Sequence, residues 1–527
     1  FSCRSDFLSF VVRSIPSSSR PAWMAKGRGK TVKGGKPTIS EHPDGQIALG
    51  GKPRQRASEG QRKAEPAKSW SSADPVEKLG EQQMRDQRAA RFQPQPRLEK
   101  PTPAMVSSAK STVAQVSSND NDGAGWNDGP IVGSLNEMCS PAEAHEREMT
   151  RQLDKFEWRV GTSGPQAEVN LELATKKYQR SCAGKAYQSR DVRTFDACWR
   201  TMEFLMTKVL DLDIKQKPIF AVREATYIEI YSYLRDRTRS CRVDLHLQQP
   251  LSTTQRCFVE THECCLRFEM LSLFLLRGKS GDNDSSTEKY DEKLGLKSIS
   301  QCIEPLLNAY QGLRHKQVQS STAEYGSLSK AAIQRYIILL LMAFSPEELL
   351  THLAKLSKGI LDHPLVGFAM RACAAFQSDD YGRFLRSYKE ADFLTAVAMS
   401  GVADLARLRA LWLLVRCTPP GVADRVKLTR IRTMLAFASD EHARSFLAFH
   451  AVKVEGYAGA ADAYVMLPKR NSPEAASHPL LSGPARMPEK CEYPKGSDSM
   501  LLSKYEALGL SRADIVFGRA DPVLEVE

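Results

Sequence analysis

The chain has 527 residues, of which 42% are hydrophobic and 26% charged, enough for two or three globular domains and a sizeable core. No run of about 18 apolar residues occurs, which argues against a membrane-spanning helix; the longest apolar stretch, 336–344, has the length of a buried one. The formal net charge of +12 is local: residues 1–118 carry +11 and residues 119–527 carry +1, so the pattern predicts a basic tail and not a basic folded domain.

Residues 1–23 are rich in Arg and Ser, with Asp6 as the single acid. They read as a targeting segment or as sequence upstream of a start at Met24, and the second reading is preferred. Through residue 130 the chain is rich in Gly, Pro, Ser, Gln, Lys and Arg and poor in large apolar residues, apart from a short possible helix at 75–92. Such a segment buries too little to offset chain entropy, so residues 1–130 are expected to form a disordered basic tail. A tail of this kind holds phosphates without sequence preference, solubilises the chain or carries a nuclear-import signal.

Order is expected from Ile131. Ser140-Pro141-Ala142-Glu143 has the form of a capping box with proline at the first helical position, and predicts a helix to about Trp158. Ser345-Pro346-Glu347-Glu348 repeats the device. Residues 172–181 read as helical, which puts Lys176, Lys177 and Arg180 on one face, either solvated, ion-paired with Glu168 and Glu172, or binding a phosphate-bearing partner. Apolar spacing of three and four then predicts helices at 194–212, 219–239, 252–277, 296–313, 328–343, 362–376, 381–389 and 392–416, with loops at 278–294 and 315–324. Many helices joined by short links predict an all-α fold in which helices stack in a repeat-like array over 131–418. After Pro419-Pro420 the texture changes. Residues 426–437 read as one helix, a second begins at Ser439, and 452–456 and 463–468 read as two short strands. Helix, helix, hairpin is the order of a winged-helix module, expected over 419–470. Residues 471–527 are expected to form a linker and a short terminal segment with a helix and a strand.

Catalytic motifs are represented only by near-matches. Gly184-Lys185 is followed by Ala186, and Gln179 stands where a phosphate-binding loop needs glycine; Arg277-Gly278-Lys279-Ser280 also lacks the upstream glycine. There is no GxSxG, no HExxH and no CxxC. His262 and Cys264 diverge on a helix, so no metal, cofactor or catalytic residue is assigned. The twelve cysteines lie mostly among apolar residues and read as reduced core thiols. What remains is cation geometry: Arg425, Lys427, Arg430 and Arg432 surround the first helix of the expected module, as phosphate contacts or as a solvated flank.

Several stretches resemble one family in order and spacing. Residues 132–143 (VGSLNEMCSPAE) and 152–157 (QLDKFE) are similar to its opening motif of Gly-Thr-Cys, Met-Cys-Pro and Glu-Arg. Residues 176–185 (KKYQRSCAGK), Asp191-Val192-Arg193 and 200–205 (RTMEFL) match its next block. The blocks 236–244 (DRTRSCRVD), 267–271 (RFEML), 380–386 (DYGRFLR), 409–411 (RAL), 434–437 (MLAF) and 439–441 (SDE) follow. The chain thus resembles the SAC3/GANP family over roughly residues 130–467. The resemblance implies a PCI-type helical array ending in a winged helix, and a scaffold instead of an enzyme. It implies a place in a TREX-2 assembly that couples transcription to messenger-RNA export. The partners would be a second PCI-domain protein, a small acidic subunit and RNA, in the nucleus and at its pores with a cytoplasmic pool. By that analogy Arg425, Lys427, Arg430, Arg432 and Lys453 are the candidate RNA contacts. The chain departs from the pattern at Ser134-Leu135 and at Ser140, which argues against a thiol or metal role there. Residues 471–527 leave little room for the long extension of the large export scaffolds, and Phe-Gly repeats are missing ahead of the domain. This layout also resembles compact SAC3-domain proteins linked to centrosome duplication and the mitotic spindle, an alternative without RNA.

Overall fold

The computed structural model describes residues 131–521, apart from 180–186, 216, 250, 252–255, 278–288, 318–326, 420–424, 458–462, 470, 483–486, 495 and 497. The expected tail at 1–130, its short helix and the end of the KKYQRSCAGK block lie outside the described residues. The described part is mostly helical, with three short strands, and none of its helices is long and apolar enough to cross a membrane.

Helix α1 (Pro141–Met149) starts as predicted, with the Ser140 Oγ accepting from Glu143 N at 3.2 Å. The box is not closed, however, because Glu143 is used elsewhere: its Oε1 accepts from Lys177 N at 2.9 Å. The helix also ends nine residues before Trp158, where Arg151 takes φ 54°, and a short 3-10 turn (Lys155–Glu157) follows. The predicted helix at 172–181 is absent as far as the chain is described: residues 174–179 run without regular structure. The reason is tertiary. Lys176 N donates to Met138 O, Thr175 N to Glu157 Oε1 and Tyr178 N to Asp236 Oδ2, so successive amides are taken by distant partners instead of a helix ladder.

The helical array follows the predicted order. It comprises α2 (Phe195–Phe204), α3 (Tyr227–Leu247), α4 (Arg256–Leu276), α5 (Glu292–Gln317), α6 (Ser327–Phe344), α7 (Pro346–Lys355), α8 (Lys358–Leu361), α9 (Pro364–Gln377), α10 (Tyr381–Glu390) and α11 (Phe393–Cys417). A π-helical turn (Leu205–Val209) extends α2. Helix α3 begins eight residues later than its apolar spacing suggested, at a Thr226/Glu229 capping box in which Thr226 N donates to Glu229 Oε2 at 2.8 Å. At α7, Ser345 makes no side-chain cap, and only the proline and the two acids of the first turn match the expected device. Neighbours in sequence pack together, as α3 with α4, α4 with α5 and α9 with α10, while α6 and α4 both pack on α11. Helices α4, α6 and α11 are buried over most of their surface and form the centre of one continuous core.

The end of the domain is strand β1 (Arg425–Lys427), α12 (Leu428–Met434), α13 (Asp440–Phe449), β2 (Lys453–Glu455) and β3 (Tyr464–Met466). The sheet is antiparallel in the order β1-β3-β2. Residues 426–437 are therefore not one helix. Val426 pairs with Val465, and Leu428 N donates to Ala463 O, so Val426 and Lys427 are held in strand β1 before α12 can start. Strands β2 and β3 fall within the two stretches read as strands, and β1 is the addition to the mostly helical fold that was expected. Beyond the sheet, α14 (Ser499–Leu508) packs on α11, and α15 (Arg512–Val516) packs on α4 where a strand was expected.

Ten cysteines fall among the described residues; all are free and seven are buried. His262 lies beneath the surface with Nδ1 2.7 Å from Phe258 O, and burial pushes its pKa down to about 3. Burial likewise pushes His352 and His450 down to about 4. The fold keeps these rings neutral while the unfolded chain protonates them near pH 6.5, so stability falls as pH drops from 6.5 towards 4. Each ring is expected to contribute a slope of about 1.4 kcal/mol per pH unit in that window. Glu269 works in the opposite sense: burial pushes it up to about 7, so its part falls as pH rises from about 4.5 to 7. His262→Gln should therefore flatten the acid side of a melting-temperature profile of the full chain. An unchanged slope between pH 6.5 and 4.5 contradicts this account.

Candidate nucleic-acid interface

Strand β1 and helix α12 meet at a sharp corner, and the corner displays cations. Leu428 and Ile431 turn into the core, which leaves Thr429, Arg430, Thr433 and Met434 on the outer side of α12. With Arg425, Val426 and Lys427 of β1 and Tyr464 of β3 they line an open groove of about 830 Å³. Lys427 and Arg430 are exposed and have no ion-pair partner among the described residues. Arg425 is 57% exposed; its Nη2 lies 3.0 Å from Glu455 Oε2, and its guanidinium carbon 5.2 Å from the centre of the Tyr464 ring.

The other two predicted cations stand apart. Arg432 is half-buried, 3.1 Å from Asp440 Oδ1, and ties α12 to α13 instead of lining the groove. Lys453 is 76% exposed on β2, with its Nζ 3.6 Å from Glu455 Oε1. None of the described residues lining the groove is acidic, histidine or cysteine, so this lining presents cations and hydroxyls without a proton-transfer pair. Among the described residues no cluster of His, Cys, Asp and Glu has the geometry of a metal site.

A second polar constellation is internal. Glu157 accepts from Arg147 Nη1, from Arg237 Nη2 at 3.2 Å and from Thr175 N at 2.9 Å. Arg193 Nε donates to Asp244 Oδ2 at 2.7 Å, while Lys176 Nζ donates to Asp244 Oδ1 at 2.7 Å and to Asp191 O. These residues fasten the segment ahead of α2 onto α3. Of the cations of the KKYQ stretch, Lys176 thus finds Asp244 rather than Glu168 or Glu172, and it is a structural residue. Residues with no predicted role complete the end of the domain. Arg407 of α11 is fully buried and donates to Leu435 O, Ala436 O and Asp498, joining the array, the β1–β3 module and the N-terminus of α14.

The motif residues in these networks include those that carry the family resemblance, and the sequence profile of the SAC3/GANP family matches residues 138–456. The chain belongs to the SAC3/GANP family. This family is of scaffold type, in keeping with a SAC3-type role in general terms. The chain is similar to protein xmas of Drosophila melanogaster, with 25% identity over 332 residues, which cover 62% of this chain and 15% of that protein. It is also similar to SAC3 family protein B of Arabidopsis thaliana, with 25% identity over 287 residues, 53% of this chain and 15% of that protein. The SAC3/GANP match thus spans a small fraction of either relative's length. Tyr464, Thr429, Thr433 and Met434 were missed as groove residues. Only the pairing of β1 with β3 brings Tyr464 to Arg425, and nothing in the local sequence of 426–437 marked a strand.

Proposed function

We propose that this chain is a non-enzymatic scaffold of TREX-2 type, acting in the export of messenger RNA coupled to transcription through protein and RNA contacts. The observation that carries the RNA part is the groove, where Arg425, Lys427 and Arg430 converge with no acid among the described lining residues. The order β1-α12-α13-β2-β3 and the sheet order β1-β3-β2 support a winged-helix module closing a PCI-type stacked array. On that reading the partners are a second PCI-domain protein and a small acidic subunit, met in the nucleus and at its pores, with a cytoplasmic pool.

Lys427→Glu with Arg430→Glu is expected to weaken binding of labelled RNA by the full chain tenfold or more. The slope of log K against log salt should also shrink by roughly 0.7 for each phosphate that is no longer neutralised. Arg432→Glu is the wrong companion, because it breaks the Asp440 pair inside the module. Unchanged binding overturns the RNA part and leaves the tail as the element that holds phosphate. Purification from nuclei should recover the two protein partners. Recovery of neither, with signal at spindle poles and none at the nuclear rim, would favour the centrosomal role instead.

A further inference from the structure

The sheet has two faces of different chemistry. Side chains alternate along a strand, so Val426, Val465 and Val454 share one face, and Val465 is fully buried on the side where β3 packs on α12. The opposite face carries Arg425 and Lys427 on β1, Tyr464 and Met466 on the central strand, and Lys453 and Glu455 on β2. Tyr464 stands between Lys427 and Glu455, and Met466 between Arg425 and Lys453. Both central side chains are half-buried, flanked by side chains whose flexible ends reach solvent.

We infer that this face is a base-stacking platform for single-stranded RNA, centred on Tyr464. The inference rests on the RNA-binding reading and specifies its substrate. Sequence-tolerant single-strand binding needs an aromatic ring to stack on and cations along the backbone path, and the sheet supplies both in register. Duplex reading by a helix needs the opposite surface, and that surface is unsuited. The first turn of α13 bears Asp440 and Glu441, and its one arginine, Arg444, donates to Gly456 O and Tyr457 O at 3.0 and 2.9 Å. The Arg425–Glu455 pair bridges β1 and β2 above the central strand. Arg425 is exposed and Glu455 half-buried, and such a surface pair contributes little, so a phosphate can take Arg425 from Glu455 while a base settles on the ring. Glu455 is thereby a competitor of the RNA.

The test uses the full chain, a fluorescent ten-nucleotide oligouridine and an RNA duplex of the same length. The oligouridine should bind more tightly than the duplex. Tyr464→Leu should weaken oligouridine binding roughly 5- to 150-fold with an unchanged salt slope, and Tyr464→Phe should match the parent. Glu455→Gln should bind more tightly than the parent. In the parent chain, 4-thiouridine should photocrosslink to Tyr464, a readout that needs no variant to fold. If Lys427→Glu with Arg430→Glu weakens binding while Tyr464→Leu does not, or if the duplex is preferred, the platform is overturned and the RNA-binding reading stands. If all these variants bind as the parent does, both fail. No crosslink at Tyr464 also overturns the platform.

Discussion

Replacing Arg407 by alanine is expected to destabilise the full chain by about 3–5 kcal/mol, the usual cost of removing one partner from a buried charge pair. The guanidinium has no access to solvent, and Asp498 and Asp404 both lie 2.7–2.8 Å from its Nη1. It also satisfies Leu435 O and Ala436 O at 3.0 and 2.9 Å, and lies 4.3 Å from the centre of the Phe437 ring. Alanine leaves the Asp498 carboxylate without its counter-charge and two carbonyls without their donor at once. Burial alone would push Asp498 up, but Arg407 outweighs it and holds the carboxyl below the ordinary aspartate range. The matching contribution is present above about pH 3.8 and is lost as pH falls through the lower folded value. Asp498 also accepts from Met500 N at 2.9 Å as the cap of α14, so Asp498→Asn keeps the cap and removes the charge. Arg407→Met combined with Asp498→Asn should therefore cost less than the sum of the two single changes. Urea unfolding of the four chains measures this; strict additivity contradicts the pair. Because Arg407 holds the turn after α12, the alanine variant should also loosen RNA binding at the groove.

Much of the helical array was legible because its long helices bury a stripe or a whole surface, and burial writes itself into apolar spacing; the one-turn α8, with no buried residue, left no such signal. The errors fell where backbone bonds go to distant partners. At 174–179 the local pattern favours a helix, but Glu143, Glu157 and Asp236 capture the amides of Lys177, Thr175 and Tyr178. At 425–427 a three-residue strand is too short to show alternation, and it exists only because β3, some forty residues later, pairs with it. The groove was legible in part for the same reason. Lys427 and Arg430 stand out as charges in one dimension, whereas Tyr464 joins them only in three. Arg407 was hidden differently: it lies between Ala406 and Leu408 with Arg409 two residues on, and nothing local tells which arginine is fully buried or which acid it meets. The family blocks mark the interior more than the working surface, since Glu157, Lys176, Arg193 and Asp244 are spent on holding the fold.

Glu157→Ala should produce a loss of similar size, about 3–5 kcal/mol, and a more local one. The carboxylate is fully buried, and its removal leaves the guanidiniums of Arg147 and Arg237 facing each other without the charge that separates them. Burial alone would push its pKa up, but Arg237 and Arg147 together hold it below the ordinary glutamate range. Stability from Glu157 is thus present above about pH 4.5 and lost as pH falls through the lower folded value. Glu157→Gln keeps the shape and one acceptor, so it should fall between parent and alanine. The expected signature is amide exchange. Thr175 N donates directly to Glu157, and Thr175 O accepts from Arg147, so the extended stretch at 174–179 is clamped through this one carboxylate. Amides of Thr175, Lys177 and Tyr178 should lose protection in Glu157→Ala, while those in the middle of α4 and α6, in the central core, change only by the global loss. Uniform loss across all helices would contradict a local clamp. Retained protection at Thr175 would show that the chain is held there by Tyr233, whose ring lies 4.7 Å beneath Arg237 and whose hydroxyl lies 2.8 Å from Thr175 Oγ1.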